Sequence, residues 1–131
     1  AHESGRPLAE LLPDILRAAL AALPIPKRMR WGSGDAEFVR PVHWLVALHG
    51  SEVLPLEVFG IASDRVTRGH RYLGEQAIAI PAPQDYAMLL EARGKVIADF
   101  DTRRARVRAL IDEAAQAAGG RPLVDEALLT E

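Results

Sequence analysis

Two short segments hold the side chains of this sequence whose types and spacing suit the binding of a phosphate or a nucleobase. They are PKRMRWG at residues 26–32 and RVTRGHRYLG at residues 65–74. Lysine and arginine neutralise phosphates, and an aromatic ring stacks on an unpaired base or on a guanidinium group. The candidate binding residues are Lys27, Arg28, Arg30, Trp31, Arg65, Arg68, His70 and Arg71.

Both segments also have a structural interpretation, which the pattern alone leaves open. In the first, Met29 and Trp31 would fill the core while the cations point into water. In the second, the arginines would belong to a charged surface connection, and the pattern supports this as well as it supports a binding site. Gly69 adds a reason for a site, since glycine adopts backbone conformations that bring amides close to an anion.

The histidines do not indicate catalysis or metal binding. His70 lies between arginines, whose positive charge disfavours proton uptake and makes this histidine a poor general base. His43 shares its predicted strand face with Leu45, which favours a half-buried structural role. The sequence has no cysteine and no HxH or HExxH spacing. We therefore predict no catalytic residue and no metal site.

A third group of cations, RRARVR at residues 103–108, lies on a predicted helix. Arg104 and Arg108 are four residues apart, so both would project from one side of the helix and could hold a phosphate backbone. A solvated helix face is the favoured alternative, because charged residues on the polar flanks of a helix ordinarily face water.

The composition is that of an ordinary globular domain. With 131 residues the chain is long enough for one domain with a single core. Its charged fraction of 26% is typical of such folds, and its longest apolar runs fall far short of the roughly 20 residues that span a membrane. A net charge of −2 argues against a strongly basic nucleic-acid module, so any phosphate contact must come from local patches.

The first half of the chain predicts one helix and two strands. Apolar residues at helical spacing predict a helix over residues 8–23. Pro13 is expected either to kink this helix or to separate a short helix from a longer one that follows it. Two strands, residues 37–50 and 51–61, are predicted around a tight turn at Gly50 and Ser51. Each strand contains a proline, which predicts an edge position or a bulge there.

The second half predicts a short strand and two helices. The strand covers residues 77–80, and the first helix covers residues 84–93 and ends at Gly94. Residues 95–100 are predicted to form a short strand or a segment that leads into the second helix. The second helix then begins with Asp101 or Thr102 as its N-cap. Its predicted buried stripe consists of Val107, Leu110, Ile111, Ala114 and Ala118.

Helices and antiparallel strands thus occur in blocks, without a regular β–α–β alternation. This predicts an α+β fold in which short antiparallel strands pack with several helices in a single domain. We expect that domain to cover residues 1–120. Residues 121–131 are expected to be the start of a following helix or a linker, because two glycines precede Pro122 and an apolar-periodic tail follows it.

Several long segments, taken in order, resemble the beta subunit of the bacterial heterotetrameric glycyl-tRNA synthetase. They are PKRMRWG, FVRPVHWLVALHG, TRGHRYLG and IPAPQDYAMLLEARGKVIADFDTRRARVR. The likeness runs from about Leu11 to Gly120, and the chain looks like an N-terminal portion of that subunit. One departure is Tyr72, where the family pattern has phenylalanine; the ring is retained, so neither packing nor stacking is put in doubt.

The resemblance implies a role in a glycine–tRNA ligase. ATP-dependent glycine activation would belong to the alpha subunit, so ATP and magnesium would serve the holoenzyme and no cofactor would bind this part of it. The implied partners are the alpha subunit and the tRNA for glycine, with no membrane, and the implied location is the cytoplasm. This part of the subunit would be noncatalytic and would bind or position tRNA.

Two alternatives to tRNA binding stay open. One is an editing-type domain that hydrolyses mischarged tRNA, and the other is a scaffold that docks the alpha subunit and further beta-subunit domains. Binding of tRNA is favoured, because a cationic loop without an adjacent nucleophile fits contact with phosphate better than ester hydrolysis.

Overall fold

The computed structural model describes residues 5–130, and over that range the chain has the predicted α+β fold. The helices are α1 (Leu8–Ala22), α2 (Tyr86–Ala92), α3 (Phe100–Ala117) and α4 (Glu126–Thr130), with a 3-10 turn at Pro83–Asp85. The strands are β1 (Met29–Arg30), β2 (Glu37–Phe38), β3 (Leu45–Val46), β4 (Leu48–His49), β5 (Glu52–Val53), β6 (Glu57–Val58), β7 (Ile61–Asp64), β8 (Val66–Thr67) and β9 (Ile78–Ala79).

The largest sheet has three strands in the order β3–β7–β6. The central strand β7 pairs in parallel with β3 and antiparallel with β6. The other pairs, β1–β2, β4–β5 and β8–β9, are antiparallel ribbons of two strands. The turn from β6 to β7 places both Phe59 and Gly60 at positive φ, as a type I′ hairpin turn requires.

The prediction of two long strands over residues 37–50 and 51–61 is wrong. The first is divided into β2, β3 and β4, and the second into β5, β6 and the start of β7. Pro41 lies in the break between β2 and β3, and Pro55 in the break between β5 and β6, because proline has no amide to donate to a ladder. The tight turn after His49 is confirmed, with Gly50 at φ +59°.

The helices form where the periodicity predicts them. In α1, Pro13 is accommodated without a break in the helix. Gly94 follows the last residues of α2, as expected of a glycine at the C′ position. The predicted cap of α3 is wrong by two or three residues: the N-cap is Asp99, whose side chain accepts a hydrogen bond of 2.8 Å from the Thr102 amide. That hydrogen bond also lowers the pKa of the Asp99 carboxyl.

The core is small and lies where the β8–β9 ribbon meets α2. Ile78 and Ile80 are fully buried, and Leu90 and Thr67 nearly so. The predicted buried stripe of α3 is wrong, because no residue of that helix is buried within the described part of the chain. None of the described helices is both long and apolar enough to cross a membrane.

Candidate functional site

The second cationic segment forms a closed loop on the C-terminal end of α2; we call residues 68–74 the arginine loop. Its backbone is bonded at both ends. The Gly69 amide donates to the Glu75 carbonyl at 2.8 Å, and the His70 amide donates to the Gly94 carbonyl at 2.6 Å. The Glu75 amide donates to the Arg93 carbonyl at 3.0 Å. The loop and the residue after it are therefore held against Arg93 and Gly94, which follow them by about 20 positions.

Three glycines meet where the loop touches the end of α2. A Cβ atom placed on Gly69 or Gly74 would lie less than 3.0 Å from backbone atoms of Gly94. A Cβ atom on Gly94 would lie equally close to the Leu90 carbonyl. We expected Gly69 to bring an amide close to an anion, but its amide is taken by a carbonyl of the chain itself. Glycine is required here because two stretches of backbone are in contact.

His70 shapes the turn of the arginine loop. Its Nδ1 atom accepts hydrogen bonds of 3.2 Å from the Tyr72 and Leu73 amides. Gln76, which the sequence did not single out, places its side-chain nitrogen within 3.2 Å of the carbonyls of His70, Arg71 and Gly74. Both side chains rigidify the loop from within.

The two arginines of the loop stand over aromatic rings. The Arg68 guanidinium lies 5.4 Å from the centre of the Trp44 ring, and the Arg71 guanidinium lies 5.5 Å from that of Tyr72. Trp44 is oriented by a hydrogen bond of 3.1 Å from its indole nitrogen to Thr67 Oγ1. Among residues 5–130, neither arginine has a carboxylate within 4.0 Å. Their charges are thus available to an external anion.

A groove of about 440 Å³ lies beside the arginine loop. Trp44, Thr67, Pro83 and Tyr86 are among its lining residues. Its volume is within the range of small-ligand sites. Trp44 therefore takes part both in the contact with Arg68 and in the wall of this groove.

Arg65 is engaged by the fold. Its guanidinium donates to the Ser51 carbonyl at 2.8 Å and reaches the Pro81 carbonyl at 3.4 Å. Its own carbonyl accepts from the Ile80 amide at 3.0 Å. These contacts tie the junction between β7 and β8 to the segments around Ser51 and Pro81, and the Arg65 side chain does not lie free beside the arginine loop.

The first cationic segment forms a separate hairpin of β1 and β2. Trp31 is half-buried and meets Phe59 edge to face at 5.8 Å, while Phe59 lies 5.2 Å from Phe38. Trp31 therefore packs as the structural interpretation predicts, whereas Met29 is exposed.

The cations of this hairpin are exposed. Arg28 reaches the Ala21 carbonyl at 3.4 Å, and Arg30 lies 3.9 Å from Asp35. Lys27 has no carboxylate within 4.0 Å in the described part of the chain. No hydrogen bond, ion pair or aromatic contact within residues 5–130 joins this hairpin to the arginine loop.

The helical arginines of α3 are paired with carboxylates. Arg104 lies 2.7 Å from Glu126, and Arg108 lies 3.3 Å from the same side chain. Arg108 also lies 3.4 Å from Asp112. These ion pairs join α3 to α4. Because they engage both guanidinium groups, they disfavour the binding of a phosphate backbone by Arg104 and Arg108.

Glu75 and Arg93 form a two-pronged ion pair that closes the arginine loop against α2. The Arg93 Nε atom donates to one carboxylate oxygen at 2.9 Å and a terminal nitrogen donates to the other at 2.5 Å. The hydrogen bonds from Arg93 hold the pKa of the Glu75 carboxyl below its usual value of about 4.5. The pair stabilises the folded loop wherever Glu75 is ionised.

This pair predicts a pH-dependent effect of Glu75→Gln. A lowered folded-state pKa stabilises the fold above the unfolded-state value and ceases to do so as the pH falls through the folded one. At neutral pH, amides of the loop should therefore exchange with solvent several-fold faster in the variant than in the wild type, and the difference should disappear as the pH falls through the lowered pKa of Glu75. Glu91→Gln, at an exposed residue of α2, is the control and should show no difference at either pH. A Glu75→Gln effect that persists undiminished in acid would contradict the role of the ion pair.

The arrangement of Arg68, Arg71 and Trp44 suits the binding and positioning of a ligand. Two cations that have no carboxylate partner in the described part of the chain stand on a hydrogen-bonded loop beside a partly exposed indole ring. Together they can hold a phosphate and an unpaired base. Within residues 5–130 there is no group of three or more His, Asp or Glu side chains placed to hold a metal ion.

Comparison with known proteins gives one consistent result. The sequence model of the family described as glycyl-tRNA synthetase beta subunit matches residues 1–131. The glycine–tRNA ligase beta subunit of Marinobacter nauticus is 47% identical over 130 residues, which is 98% of this chain and 19% of that relative. The glycine–tRNA ligase beta subunit of Citrobacter koseri is 47% identical over 131 residues, which is 100% of this chain and again 19% of the relative. The chain thus spans about a fifth of the length of the curated relatives it matches.

Proposed function

This chain belongs to the glycyl-tRNA synthetase beta subunit family, and from that premise we propose that its arginine loop binds the phosphate backbone of tRNA. In this proposal the chain supports the ATP-dependent attachment of glycine to tRNA by positioning the tRNA. The alpha subunit is the proposed partner and carries out glycine activation with ATP and magnesium, and the cytoplasm is the proposed location.

One observation carries the proposal: hydrogen bonds order the arginine loop, while no carboxylate among residues 5–130 lies within 4.0 Å of Arg68 or Arg71. A loop that is already ordered loses little conformational freedom on binding. The internal hydrogen bonds of Gln76 and His70 supply that order. Cations on such a loop contact phosphate without first leaving a carboxylate of their own chain.

Trp44 extends the proposed contact from phosphate to base. Its ring is partly exposed and already supports the Arg68 guanidinium. Stacking on an aromatic ring is how proteins commonly hold unpaired bases of RNA. The groove that Trp44 lines is the proposed place for such a base.

Docking of the alpha subunit is the second candidate function for the same loop. Tyr72 and Leu73 at its tip are 80% and 71% exposed. Exposed aromatic and aliphatic side chains on a rigid support are typical anchors of protein interfaces. Editing has less support, because the Nδ1 atom of His70 is occupied by two backbone amides.

The test is binding of the tRNA for glycine to the full-length subunit with its alpha subunit, measured as a function of salt. Arg68→Ala and Arg71→Ala should each lower the affinity about tenfold, as expected for the loss of one hydrogen-bonded charge contact. Each should also reduce the slope of log affinity against log salt by about one charge. Arg106→Ala, which removes the same charge from exposed α3, is the control and should change neither quantity.

Two outcomes oppose the proposal. Slopes that stay at the wild-type value in both loop variants would exclude phosphate contact by this loop. If the loop variants keep their tRNA affinity but lose the alpha subunit on gel filtration, docking is the function of the loop.

A further inference from the structure

Helix α3 carries an apolar stripe that faces solvent. Phe100, Val107 and Leu110 are 44%, 40% and 45% exposed. At 100° per residue these three side chains project from one side of the helix. Sequence periodicity predicts that this side is buried, but among the described residues these three side chains stay exposed.

The contact between α3 and α4 uses a different side of α3. Arg104 and Arg108 form ion pairs with Glu126, and Leu129 is buried against this side of the helix. Because the residues that meet α4 are rotated by about a quarter turn from the stripe, α4 does not cover it. Among residues 5–130 the stripe is therefore only partly covered, with the Arg103 guanidinium 5.5 Å from the centre of the Phe100 ring.

The accessible surface area of the chain is also larger than expected for a folded monomer of its mass. The accessible surface is 9934 Å², whereas a folded monomer of 14.3 kDa is expected to expose about 6,800 Å². The excess of about 3,100 Å² exceeds the roughly 600–1,500 Å² of a typical interface between domains, so the α3 stripe accounts for only a part of it. Apolar stripes of a folded chain are ordinarily covered by another surface.

We propose that the stripe of Phe100, Val107 and Leu110 docks other residues of the same subunit, which lie outside these 131. The relatives are about five times as long as this chain, so most of the subunit is available to cover it. This inference concerns the assembly of the subunit and is independent of the proposed tRNA contact.

The size of the stripe selects this occupant over a separate chain. The stripe runs from Phe100 to Leu110, about 16 Å along the helix, and with a width of about 10 Å it covers on the order of 160 Å². A stable complex between separate chains buries about 800 Å² on each partner. A contact within one chain tolerates a smaller area, because the linked surfaces meet at high effective concentration.

The test is the reactivity of introduced thiols in the full-length subunit. Residues 1–131 contain no cysteine, so Leu110→Cys adds a single thiol to this part of the chain. Its neighbour in sequence, Ala109→Cys, faces away from the stripe and is the matched control. Labelling by a maleimide is followed at each introduced thiol by peptide mass spectrometry, in the native and in the denatured subunit.

We expect the thiol at position 110 to react about tenfold or more slowly than the thiol at position 109 in the native subunit alone, and equally fast after denaturation. Val107→Cys, a substitution of similar volume, is the second stripe variant and should be protected in the same way. Retained aminoacylation in the presence of the alpha subunit shows that each variant is folded.

Three results would overturn the proposal. Equal native rates at the stripe and control positions would mean that the stripe is bare in the whole subunit. Protection that appears only when the alpha subunit is added would make that subunit the occupant. Protection that is lost on dilution would make a second copy of the subunit the occupant.

Discussion

Gly74→Ala is expected to open the arginine loop. The added Cβ would lie less than 3.0 Å from the Gly94 carbonyl and from the His70 amide nitrogen, and backbone atoms cannot move aside as a side chain can. The clash should separate the loop from α2 and break the hydrogen bonds from His70 to Gly94 and from Glu75 to Arg93. We expect a loss of about 3 kcal/mol in local stability, because overpacking of this severity leaves no unstrained conformation.

Amide hydrogen exchange of the full-length subunit measures this effect. A loss of about 3 kcal/mol corresponds to exchange more than a hundredfold faster at the His70 and Glu75 amides. Gly34→Ala is the control, since no atom lies within 4 Å of its Cβ position and its φ is not positive. Unchanged exchange in Gly74→Ala would show that the backbone contact between the loop and α2 is not required.

Ile78→Ala is expected to destabilise the core by about 3 kcal/mol. Ile78 is fully buried on β9, where it faces Thr67 of β8 in the ladder. Removing three carbon atoms from such a site costs their transfer free energy and leaves a cavity. The small size of this core leaves few neighbours to close that cavity.

A graded series tests this expectation. Ile78→Val should cost about 1 kcal/mol, because it removes one methyl group. Ala79→Ser, at the exposed neighbour on the same strand, should cost less than about 0.5 kcal/mol. Exchange of the β8 and β9 amides reports each value, and equal effects of the three substitutions would place the centre of the core elsewhere.

The local signals in the sequence were sufficient for the helices and turns. The apolar period predicted α1 and α3, and Gly94 and Gly50 marked a helix end and a hairpin turn. Such features depend on residues a few positions apart, so the sequence holds all the information they need.

The strands and the α3 stripe were not predictable in the same way. The prolines at positions 41 and 55 signalled a local defect, but only the tertiary structure shows that each one separates two different strand pairings. The periodicity of α3 correctly identified its apolar side. It could not reveal that the large side chains on that side stay exposed among the described residues, because burial depends on a partner and not on a pattern.

The sequence by itself determined the α+β class, the family and the presence of two cationic segments. Only the tertiary structure decided which of those cations are available: Arg65 is engaged by backbone carbonyls, while Arg68 and Arg71 stand on aromatic rings. It also brought Glu75 to Arg93, 18 residues further along the chain. These contacts join residues distant in sequence, and the free energy that selects them arises from packing of the whole domain, which no local pattern of residue types encodes.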